Sequence, residues 1–153
     1  MDMNRLKSIV VMLTAAVLAV SCGKEKLPQV EYLEVTPNNI AGEWQLVRWN
    51  HEPLDEATYF YVDFVRKDKT FTIYQNFDSI ADMPHVVTGE FNLETDLEHG
   101  VFIIGMYDYD EGHWAHNYYV RNLTKDSMEW VAVDDDTFVQ EFVRTSIPSE
   151  IKK

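Results

Sequence analysis

From residue 42 onward the chain is cut into short runs rich in Val, Ile, Thr, Tyr, Phe and Trp, each ended by turn residues. The runs cover residues 42–50, 59–66, 70–76, 85–93, 101–109, 113–123, 127–133 and 137–145. Such residues pack well on a pleated, half-buried surface, so each run predicts a strand. Lys67-Asp68-Lys69, Asp110-Glu111-Gly112, Thr124-Lys125-Asp126 and Asp134-Asp135-Asp136 supply tight turns between neighbours. A longer break at 77–84 reads as a helical turn. No helix-length apolar stripe of 3.6-residue period occurs after the first twenty or so residues. Consecutive strands with short turns pair as antiparallel hairpins. An open sheet would leave edges that invite aggregation, and rolling it shut removes them. The expected fold is therefore all-β: a single eight-stranded antiparallel up-and-down barrel, with a two-sheet sandwich as the alternative.

The N-terminus has a different character. Arg5 and Lys7 precede an apolar run from Ile9 to Val20. That run has the length of a signal-peptide core and is too short to span a bilayer as a helix. It leads into Ala19-Val20-Ser21-Cys22-Gly23, which resembles the lipobox of bacterial lipoproteins, with Leu18 one place before the position where that pattern prefers leucine. The resemblance implies a diacylglyceryl group on the Cys22 thiol and cleavage just before it. Cys22 is the only cysteine. A secreted chain with one cysteine has no internal disulfide to make, and lipidation gives the thiol a use. Two or three acyl chains, of the palmitate kind, anchor stably where one is marginal. The organisation expected is a signal peptide at 1–21, the lipidated cysteine and a linker at 22–39, the barrel at 40–146 and a tail at 147–153. Within the linker, residues 30–35 alternate enough to dock as a strand, but the tether reading is preferred. Lys24-Glu25 bears a faint likeness to surface-export signals and reads more simply as solvated linker. The partner implied is a membrane, through lipid on Cys22, and the location a cell envelope, at the outer membrane on its periplasmic or outer side.

The whole chain carries a net charge of −13. Cleavage removes two basic residues and one acidic one, so the mature chain is more negative still. Such a charge repels phosphate backbones and anionic lipid, which argues against nucleic acid as a partner and leaves the acyl anchor as the membrane contact.

Gly42-Glu43-Trp44 opens the first strand and Arg144 closes the last. This pairing resembles the lipocalin and calycin superfamily, and Gly-Glu-Trp-Gln-Leu-Val is similar to the opening of lipocalin-like domains of Bacteroides-group lipoproteins. The resemblance covers about residues 40–146. It implies that Gly42 and Trp44 sit at the closed end of the barrel and that Arg144 packs across the Trp44 ring. Strand parity agrees: Trp44 and Leu46 share one face of the first strand, and Phe138, Phe142 and Arg144 one face of the last. The span is shorter than a full lipocalin, which implies a smaller barrel.

The same parity lets Tyr107, His116, Tyr118 and Trp130 line one cavity, where rings and hydroxyls suit a small ligand. The alternative is that they fill the core or pave the outside. The acidic turns lack calcium-loop spacing and read as solvated hairpin tips. His113 and His116, three apart on an expected strand, would face opposite sides, so no metal site is assigned. No Gly-x-Ser-x-Gly, phosphate-binding glycine loop or His-Glu-x-x-His occurs, so neither a catalytic residue nor a cofactor is expected. Two functions remain. One is a non-enzymatic barrel that holds a small apolar or amphipathic ligand. The other is an envelope interaction protein with a filled barrel, whose loops or Trp49 meet a protein or glycan. A cavity of at least ~300 Å³ favours the first.

Mass spectrometry of the membrane-extracted protein is expected to find an acylated N-terminal Cys22. A mature chain that still begins at unmodified Met1 would contradict the anchor.

Overall fold

The computed structural model describes residues 29–77 and 86–153. Cys22, the signal-peptide segment and the start of the tether lie outside the described residues, as does most of the break expected to form a helical turn.

The described chain forms a short helix α1 (Pro37–Ile40) and strands β1 (Gly42–Trp49), β2 (Glu52–Pro53), β3 (Phe60–Val65), β4 (Thr70–Gln75), β5 (Val86–Asp96), β6 (Gly100–Tyr107), β7 (Tyr118–Arg121), β8 (Ser127–Ala132) and β9 (Val139–Arg144). From β3 to β9 each strand pairs antiparallel with the next; β1 pairs with β3 on one side and with β9 on the other. The ring is closed, so the fold is an eight-stranded antiparallel barrel and not a sandwich. β2 lies outside the ring. It folds back on the end of β1 through Asn50 and His51, whose φ values of 49° and 68° are the left-handed pair a two-residue hairpin requires.

Period-two alternation fills the lower barrel. Leu46, Val62, Phe64, Phe71, Phe91, Ile103, Met128 and Phe142 are all buried, and Phe64 meets the Phe91 ring edge-on at 5.0 Å. Two strands depart from strict alternation. In β1 the register slips between Leu46 and Arg48, so that Leu46 faces Phe142 while Trp49 faces Gln140. This bulge turns Arg48 to solvent and Trp49 inward, against the expectation that Trp49 is free to meet a partner. The run expected as a strand over 113–123 keeps only β7 and one bridge from His113 to Met106. Residues 114–117 leave the ladder because the Trp114 ring turns inward across Gly105.

The end of the barrel where β1 begins and β9 finishes is sealed. Thr36 caps α1 by accepting from the Asn39 amide at 3.2 Å. Ile40, at the end of the helix, is buried, and its carbonyl accepts from Trp44 Nε1 at 2.8 Å. The Arg144 guanidinium lies 4.0 Å from the centroid of the Trp44 ring. It donates from Nε to the Lys125 carbonyl at 2.7 Å, from Nη1 to Ala41 at 2.6 Å and from Nη2 to Asn39 at 2.8 Å. Gly42 makes room for this group: a Cβ there would sit 2.8 Å from Arg144 Nη1, and its φ of 108° disfavours any side chain.

Contacts reach beyond residues 40–146 at both ends. Leu33 donates its amide to Leu123 at 2.8 Å, and Leu33 and Val35, in the segment read as tether, pack on the core. After β9, Ile147 is buried and donates its amide to Glu43 Oε2 at 2.6 Å, while Lys152 pairs with Glu43. These two partners hold the Glu43 carboxyl below its ordinary pKa.

Arg144→Ala removes the cap on Trp44 and leaves three carbonyls without their donor. It is expected to cost about 2–3 kcal/mol and to lower the melting temperature by roughly 10 °C, as read by thermal unfolding. Arg144→Lys, which keeps the charge and loses the planar fork, is expected to recover less than half of the loss. An unchanged melting temperature in Arg144→Ala would contradict the packing role.

Candidate functional site

The opposite end of the barrel is hollow. Where β1 finishes and β3 begins, a cavity of about 350 Å³ opens among side chains from nearly every strand. Its lower limit is Trp130, whose ring lies 4.7 Å from Phe142 below and stacks with Tyr118 at 5.2 Å. Trp114 forms part of the wall, 5.4 Å from Trp130 and 5.0 Å from Phe71. It lies there because Gly105 has no side chain: the place of a Cβ is taken by the indole. At the rim, Trp49 meets Phe138 at 5.1 Å and Phe77 at 5.6 Å, both edge-on. His116 packs on Phe138 at 4.8 Å.

Polar groups are few in this wall. Gln75 and Gln140 are 8% and 7% exposed, inward residues on strands whose other inward positions are apolar. The Gln140 carboxamide has no hydrogen-bond partner among the described residues. Nε1 of Trp114 and of Trp130 is likewise buried without a partner. The His116 ring nitrogen Nδ1 lies 2.7 Å from Asp134 Oδ1, and this contact holds the Asp134 carboxyl below its ordinary range. Burial pushes the Tyr107 phenol up to about 12, helped by the neighbouring Tyr109 phenol and Asp110. Tyr118 is raised further, again chiefly by burial, with Tyr107 and Asp134 adding to it. Among the described residues, nothing in the wall is a lysine or an arginine.

Tyr107, His116, Tyr118 and Trp130, the residues proposed from sequence parity, all line this one cavity. Sequence reading missed Trp49, hidden by the bulge, and Trp114, hidden by the assumption of an unbroken strand. Gln75 and Gln140 carried a usable signal: each is an amide at an inward position, in step with Phe71 and Ile73 or with Phe142. The trio Gly42, Trp44 and Arg144 lies at the other end and has no part in the cavity.

The acidic turns bond to their own backbone. Asp110 accepts from the Gly112 amide at 2.8 Å, and Asp135 from the amide and hydroxyl of Thr137 at 3.0 and 2.7 Å. Among the described residues no group of three or more His, Cys, Asp or Glu is placed to hold a metal ion. No protein-family model matches the chain, and no curated protein sequence does either.

The buried phenols imply a pH response of definite sign. Unfolded tyrosine ionises near 10, whereas Tyr107 in the fold stays protonated to about 12. Between those values the unfolded state has lost a proton that the folded state keeps, so stability falls as pH rises through that window. Ultraviolet titration of the tyrosines should show a late-titrating class, and Tyr107→Phe should reduce it. Titration of all tyrosines together near 10 would show that the wall is open to water.

Proposed function

We propose that the chain is a lipid-anchored lipoprotein of the cell envelope whose barrel holds a small apolar or amphipathic molecule in the open-end cavity and does no chemistry on it. The observation that carries this reading is the hollow itself. A cavity of about 350 Å³ walled by aromatic rings with two buried amides has the size and character of a small-molecule site. The interaction-protein reading called for a filled barrel whose exposed loops or Trp49 meet a protein or glycan, and the hollow and the half-buried Trp49 favour the ligand reading over it.

The course of the chain adds to this reading. The described N-terminal segment docks beside Leu123, at the sealed end. Lipid on Cys22 would then pull on that end, and the mouth would face away from the bilayer. Ligand would come from the aqueous side and not by lateral transfer out of the membrane.

The neutral fluorescent probe N-phenyl-1-naphthylamine is expected to brighten and shift to the blue on binding. Ala115, exposed at the rim, is the position at which to block entry. Ala115→Trp should weaken probe binding at least about tenfold with little change in melting temperature, since exposed substitutions are usually near-neutral for stability. Equal binding by the variant, or none by the parent protein, would contradict the cavity as the site.

A further inference from the structure

The cavity reading says that something small binds; the charges around the mouth say what kind. Three described connections surround it: residues 50–59 between β1 and β3, 108–117 between β6 and β7, and 133–138 between β8 and β9. Each carries three carboxylates, and none carries a lysine or an arginine. The chain as a whole has 13 basic residues against 26 acidic ones, so acidic composition alone would place some cations there. They lie elsewhere. Arg66, Lys67 and Lys69 occupy the β3–β4 turn at the sealed end, with Lys125 and Arg144 beside them. The barrel is thus electrically polar along its axis, negative at the mouth.

We propose that the cavity selects a small organic cation, a molecule with an apolar or aromatic body and a single ammonium-type head. The inference rests on the reading of the cavity as a ligand site and adds the charge of the ligand. The body would lie against Trp130 and Trp114, and the head would stay near the rim. Ring faces attract cations through their quadrupole, and the rim offers Trp49 and Phe138. Gln140, 93% removed from solvent and without a partner in the wall, offers a carbonyl oxygen to an N–H of the ligand. Asp134 stands beside His116, a wall residue, with 62% of its side chain exposed, so part of its carboxylate remains available. The rim field reaches inward, since Asp110 and Asp134 each help to disfavour ionisation of a wall tyrosine. An anionic amphiphile such as a fatty acid would find no cation in the wall and three acidic loops above it. Attraction between opposite charges in such a funnel raises the on-rate and the preference for one sign of charge, and salt weakens both.

Three probes with one ring system separate the possibilities: 1-naphthylmethylamine, 1-naphthalenemethanol and 1-naphthoate. Isothermal titration of the full-length protein at neutral pH is expected to give the amine about tenfold tighter binding than the alcohol, with naphthoate weakest. High salt should shrink the gap between amine and alcohol. Glu111→Gln with Asp136→Asn, two exposed loop carboxylates outside the wall, should narrow that gap by about threefold and leave the alcohol unchanged. The unchanged alcohol serves as the check on folding. If the alcohol or naphthoate binds as tightly as the amine, charge selection is overturned and the cavity reading survives. If none of the three binds, both fall.

Discussion

The guanidinium of Arg144 on the face of Trp44 holds the two ends of the chain's sheet together. Arg144 is the last residue of β9 and Trp44 lies near the start of β1, so the contact spans the seam at which the barrel closes. Its three donated hydrogen bonds tie that seam to α1 and to the turn at Lys125. Desolvated on the indole, the arginine gives up water and regains carbonyls, a trade that is favourable only because every donor direction used finds a partner. With that end fixed, the packing of Phe64, Phe91 and Phe142 above it follows from simple alternation. The upper end has no corresponding plug, and there the alternation delivers rings to a wall rather than to a filled core.

Much of this was legible from the sequence because period-two alternation and turn chemistry are local signals. The eight barrel strands follow from the runs and their turns. The pairing of Gly42 and Trp44 with Arg144 was implied by a family resemblance with which parity agrees. Parity brought Tyr107, Tyr118 and Trp130 to one wall, where His116 joins them from the connection before β7. Failures came where parity itself was broken. One extra residue near Val47 reverses the sense of β1, and nothing in Leu46-Val47-Arg48-Trp49 announces it. The β6–β7 connection failed for a similar reason. Trp114 finds the empty face of Gly105, a long-range complementarity that neither residue shows alone. The docking of Leu33 beside Leu123 is also non-local, and a short alternating run next to a proline reads equally well as linker.

The molecule is therefore graded from one end to the other. The sealed end holds the described N-terminal approach, most of the nearby cations and a tightly packed core. The mouth end holds the hollow, the buried unpartnered indole N–H groups of Trp114 and Trp130 and the acidic loops. Buried polar groups without partners cost stability, and a chain that keeps them at one end of its core keeps them for a reason other than folding. Binding at that end, as proposed, would supply the reason and would leave the folding apparatus at the other end undisturbed.

The four tryptophans report on this division directly, since one sits in the plug and three line the cavity. In a ¹⁵N–¹H correlation spectrum each indole N–H gives its own peak. On titration with 1-naphthalenemethanol, the peaks of Trp49, Trp114 and Trp130 should shift together while that of Trp44, bonded to the Ile40 carbonyl, stays in place. Movement of the Trp44 peak in step with the others, or no movement in any, would contradict a barrel solid at its base and hollow at its mouth.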